Sequence, residues 1–76
     1  MELKFDRKKL KRLREGQGMT IRILAQAADI HENQVGSYER GPTSPGINIA
    51  GRLAQALGCE MKDFMSDTTT GNSDIT

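Results

Sequence analysis

The chain has 76 residues and a formal net charge of +1, the size of one small domain with a small core. Its single cysteine, Cys59, leaves no internal disulfide framework and fits a reducing interior such as a cytoplasm. No apolar run reaches the length of a membrane span, the opening MELKFDRKKL lacks the apolar core of a signal peptide, and three aromatic residues without tryptophan are too few for a base-stacking platform.

The charge is unevenly placed. Between Lys4 and Arg22 stand Lys4, Arg7, Lys8, Lys9, Lys11, Arg12, Arg14 and Arg22 against only Asp6 and Glu15. Such a cluster suits attraction to phosphate, or simply a solvated helix face. The first helix is predicted from Arg7 to Glu15, with Asp6 as its cap and Leu10 and Leu13 inward; Gly16-Gln17-Gly18 stops it. The second runs from Ile21 to Ala28 behind a Thr20 cap. Its Ile21, Leu24, Ala25 and Ala28 share one face at i, i+3, i+4, i+7. The third runs from Glu32 to about Arg40 behind His31, anchored by Val35 and Tyr38 and ended by Gly41-Pro42.

Each of these starts has an apolar residue before the cap and another at the fourth helical position: Phe5 with Leu10, Met19 with Leu24, Ile30 with Val35. Such pairs fix the angle at which the chain joins the helix. After the loop PTSPG a fourth helix is predicted from about Ile47 to Leu57, with Ile47, Ala50, Leu53, Ala54 and Leu57 inward. Gly58 closes it. A short fifth helix, about Met61 to Met65, offers Met61, Phe64 and Met65. No strand alternation is visible, so the expected fold is all-α with five short helices. Residues 1–65 form the expected domain, and the polar stretch 66–76 reads as a disordered tail.

The pieces LKRLREGQGMT, LAQAADI, SYERG and LAQALG, in that order, resemble the lambda-repressor-like helix-turn-helix family of the Cro/repressor or xenobiotic-response-element type. The resemblance spans residues 5–65. It implies a compact five-helix DNA-binding domain whose third helix enters a major groove by its N-terminus. Glu32, Asn33 and Ser37 then fall at base-contacting positions, with Gln34 nearby. Asn33 can pair bidentately with adenine, Glu32 can accept from cytosine N4, and Ser37 can donate or accept. Gly36 lies between them; it either avoids a collision with DNA or is a tolerated surface glycine. Phosphate contacts are expected from the start of the second helix, with Thr20 and Arg22, and from Arg40, Thr43 and Ser44 on the other side. The resemblance also implies an ion pair between Arg14 and Glu39. The chain departs from the family pattern at Ile21, commonly Gln, at Ile23, usually acidic, and at His31, usually Ser or Thr. Glu32 adds a negative charge beside the phosphates.

The expected function is a sequence-specific double-stranded-DNA-binding transcriptional regulator, a repressor. It would act as a homodimer through residues about 57–65 on a near-palindromic operator with half-sites about 34–36 Å apart. The alternative is a protein-interaction module of the same fold, antitoxin-like or partner-binding, for which Ile23 and Ala27 offer an apolar pair. An enzyme is not expected: one histidine and a serine-bearing loop make no triad. His31 has no second ligand, so neither a metal nor a cofactor is expected. Cys59 reads as a filler thiol before a redox switch.

Overall fold

The computed structural model describes residues 3–67. The order along the chain is β1 (Leu3–Phe5), α1 (Arg7–Gly16), α2 (Ile21–Ala28), α3 (Glu32–Arg40), α4 (Ile47–Leu57), a 3-10 turn (Met61–Phe64) and β2 (Met65–Asp67). Three helices open on the caps that the sequence marks. Asp6 Oδ1 accepts from the N–H groups of Lys8 (3.0 Å) and Lys9 (3.3 Å). Thr20 Oγ1 accepts from the N–H of Ile23 at 3.1 Å. His31 Nδ1 accepts from the N–H of Asn33 at 3.0 Å, while Gln34 Oε1 accepts from the N–H of His31 at 3.0 Å. That reciprocal pair is a capping box with an imidazole in the usual place of a hydroxyl. The helix ends need left-handed backbone: Gly58 closes α4 at φ 70, and Asp29, without glycine's freedom, closes α2 at φ 59.

The core is built where the periodicity places it. Leu10, Leu24, Ala25, Ala28, Val35, Tyr38, Ala50, Leu53, Ala54, Leu57 and Phe64 are buried together. The small Ala25 and Ala28 let α2 lie close against both α3 and α4. All three aromatic rings of the chain meet at one end: Phe5 stands edge-on to Tyr38 at 6.3 Å and to Phe64 at 6.0 Å. Gln17 Nε2 donates to the carbonyl of Leu57 and so ties the α1–α2 link to the end of α4.

Three expectations need correction. The fold has four α-helices and one 3-10 turn, not five helices. Met61–Phe64 is too short to extend, since Asp63 Oδ2 accepts from the N–H of Glu60 at 2.9 Å and the chain straightens at Met65 to pair as a strand. That strand is the second correction. β1 and β2 form an antiparallel ribbon with Leu3 opposite Asp67, Lys4 opposite Ser66 and Phe5 opposite Met65. Ser66 and Asp67 are thus the first residues of the expected tail to be placed; residues 68–76 lie outside the described residues. Third, Ile47 is 75% exposed rather than inward. It is the first residue of α4, and helical side chains tilt toward the N-terminus, so it overhangs the end of the core. Ile49 packs against the core there instead.

Candidate DNA-binding surface

α3 is held across α2, and one buried ion pair fixes it to α1. Arg14 Nε donates to Glu39 Oε2 at 2.6 Å and Nη2 to Oε1 at 3.0 Å, while Nη1 donates to the carbonyl of Met19 at 2.7 Å. The two side chains are 9% and 5% exposed. The Glu39 hydrogen bonds hold the guanidinium pKa above its ordinary value, against the opposing effect of burial. The pair is architecture: it locks the roll of α3 about its own axis and so decides which side chains face out.

Those that face out are polar. Glu32, Asn33 and Gln34 are exposed, and Ser37 is half-buried. Gln34, however, spends its amide oxygen on the cap of His31, which leaves its NH2 group as the free end. Glu32 Oε1 lies 3.6 Å from Arg22 Nε across the turn between α2 and α3. Both are well exposed, so this pair adds little to stability and costs little to open. Thr20 stands at the N-terminus of α2 beside Arg22, and its hydroxyl oxygen is engaged by the cap.

Gly36 is buried, so it is not the surface glycine that was one of the two expectations for it. The guanidinium of Arg40 lies on it: a Cβ at position 36 would stand 2.9 Å from Arg40 Nη1 and 3.5 Å from Nη2. Ile21, Arg22, Glu32, Asn33, Gly36 and Arg40 consequently line one shallow concavity on the outer face of α2 and α3. The expected phosphate residues thus separate. Arg40 sits with Glu32 and Asn33, two of the residues expected at bases, while Thr43 and Ser44 open onto a different cleft.

That second cleft holds residues absent from the expected site. Lys4, Arg7 and Lys8 line it together with Tyr38, Thr43 and Ser44. Arg7 runs under the turn after α3, its Cδ 3.2 Å from where a Cβ of Gly41 would stand. Gly41 adopts φ 71, so the glycine is required there twice over. The clustering of positive charge at the start of α1 was the available signal; what faces it was not.

Cys59 is half-buried, and burial, joined by the nearby Asp63 and Glu60 carboxylates, pushes its thiol pKa up. A thiol so placed is a poor nucleophile. Among the described residues no group of three metal-ligating side chains occurs, and no helix is long and apolar enough to cross a membrane.

The sequence model of the family described as Helix-turn-helix matches residues 10–64, from the middle of α1 through the 3-10 turn. The chain belongs to the helix-turn-helix family. Over 54 residues it is 32% identical to Control protein C.BamHI of Bacillus amyloliquefaciens, across 71% of this chain and 67% of that protein. Its fold is similar to the crystal structure of the restriction-modification controller protein C.AhdI from Aeromonas hydrophila, with a TM-score of 0.74 and 28% identity over 76% of this chain and 88% of that one. Membership and these likenesses together make it a sequence-specific DNA-binding helix-turn-helix regulator with a non-catalytic role.

Proposed function

We propose that the chain is a transcriptional controller of the restriction-modification kind, acting as a repressor that binds a near-palindromic operator as a homodimer. The observation that carries this is the exposed polar face of α3, presented across α2 and held in roll by the Arg14–Glu39 pair. Asn33, Glu32 and Ser37 read bases from that face. Thr20 and Arg22 at the start of α2, and Thr43 and Ser44 with Arg7 and Lys8, grip phosphates on either side. The homodimer forms through residues about 57–65 and extends onto Ile47. Ile47, Pro45, Met61 and Met65 line one groove, so the exposed isoleucine continues the apolar surface of that segment.

Random-site selection with the full chain tests the DNA reading. An enriched two-fold site, with affinity falling steeply as salt rises, is expected. Sedimentation tests the dimer: Ile47→Asp should shift the chain toward monomer and weaken operator binding without lowering its helical content. A partner-binding role has one observation behind it, since Ile23 is 46% exposed with Ala27 exposed one turn on. No enriched sequence and a flat salt dependence would favour that role.

A further inference from the structure

Arg40 is placed to read a base rather than a phosphate. A long side chain on a helix lies over the turn that precedes its own Cα. For Arg40 that turn carries Gly36, and the absent side chain leaves a seat: Nη1 and Nη2 lie 2.9 and 3.5 Å from where a Cβ would be. Residues 33, 36 and 40 fall on one face at i, i+3, i+7. The seated guanidinium therefore comes forward along α3 toward its N-terminal half and shares the concavity with Asn33 and Glu32. Among the described residues it makes no hydrogen bond or ion pair, whereas Arg22, lining the same concavity, is already turned to Glu32. A planar five-donor group, exposed and unengaged in the middle of a groove-facing surface, matches the O6 and N7 acceptors of guanine.

We propose that Gly36 and Arg40 act as one unit, in which the glycine seats the arginine so that it pairs with a guanine in the major groove and sets sequence preference at one base pair of each half-site. This rests on the reading of the chain as a sequence-specific DNA-binding regulator and adds a specificity determinant to it.

The test is random-site selection with the wild-type chain, Arg40→Lys and Gly36→Ala, followed by titration of the selected duplex. The wild type should enrich a G·C pair that Arg40→Lys no longer prefers, and the variant should lose roughly 5- to 150-fold for the selected site. Because lysine keeps the charge, its salt dependence should match the wild type. Gly36→Ala should lose the same preference with its helix intact, since the new methyl displaces the guanidinium. Replacing that guanine with 7-deazaguanine, which lacks N7, should weaken the wild type and leave Arg40→Ala unaffected. Should Arg40→Ala enrich the wild-type site with every preference unchanged, Arg40 is a phosphate contact and the proposal is overturned. Unchanged preferences in Gly36→Ala overturn the seat. Selection in which the wild type enriches nothing overturns the DNA-binding reading itself, which separates the two failures.

Discussion

Arg14 makes three hydrogen bonds in a nearly water-free site, two to Glu39 and one to the carbonyl of Met19. Desolvating two charges offsets most of their attraction, so the pair contributes more to geometry than to net stability. Removing one partner is different, because the other charge is left buried. Glu39→Ala should lower the unfolding free energy by about 3–5 kcal/mol in a urea titration. Joint replacement of both by apolar residues should cost much less. Asp6 shows the opposite balance, being half-exposed and assembled from several weak contacts. The Ser66 hydroxyl donating to Oδ2 at 2.6 Å is the largest cause of its lowered pKa; burial opposes it, and the N–H groups of Lys9 and Lys8 assist. A carboxylate whose folded pKa lies below its ordinary 3.8 adds stability that is complete above that pH and is lost as pH falls through the folded value. Acid unfolding of Ser66→Ala should therefore begin at higher pH than that of the wild type, and the Asp6 carboxyl, followed by NMR, should titrate nearer 3.8. Gly36 closes this scale: glycine in a helix costs about 1 kcal/mol relative to alanine, and a good bidentate base contact contributes about 1–3 kcal/mol of discrimination. The proposed pairing of Arg40 with a guanine would outweigh the cost of the glycine that seats it.

At the scale of elements, the helices are short and their ends decide them. α2 has eight residues, a length at which a helix does not persist alone in water. Its Thr20 cap should be worth about 1 kcal/mol, read as the loss in unfolding free energy on Thr20→Ala. The same change should weaken DNA binding, since the cap organises the N-terminal amides of α2. These local features were legible. The caps at Asp6, Thr20 and His31 lie beside the residues they serve, and the core faces of α2 and α3 repeat at helical spacing. The Arg14–Glu39 pair spans 25 positions and was reached only through family resemblance. What stayed hidden depends on distant partners or on side-chain direction. A three-residue strand has no periodicity to detect, and β1 becomes a strand only because β2 arrives beside it. The apolar Ile47 matched the inward set of α4, yet its place in the first turn carries it past the core. The seat of Arg40 was readable in principle from a glycine one turn before a long cation, but that pattern does not say which of several rotamers the chain adopts.

On the scale of the molecule, the parts divide between holding and reading. Among the described residues eleven buried apolar side chains form one core, and the buried Arg14–Glu39 pair orients α3 against it. Two concavities border α3. One holds Arg22 and Arg40, the other Arg7 and Lys8 with Thr43 and Ser44. The net charge of +1 does not set the local field, because eight of the eleven basic residues stand between Lys4 and Arg22. Arg7→Ala should flatten the dependence of log affinity on log salt by roughly 0.9, the loss of one phosphate contact, and leave base preference unchanged.

The ribbon that joins Leu3–Phe5 to Met65–Asp67 also makes the domain nearly a closed ring. Leu3 and Asp67 face each other across two paired strands, so the path along the backbone returns to where it started. Such a path can be cut elsewhere without altering which elements touch. Joining Asp67 to Leu3 through a short glycine-serine linker and opening the chain between Gly16 and Gly18, whose residues are exposed, should give a circular permutant with the same four helices and a cooperative melt. A permutant that folded without the ribbon would show that the clasp between the ends is an ornament of the helical core rather than part of it.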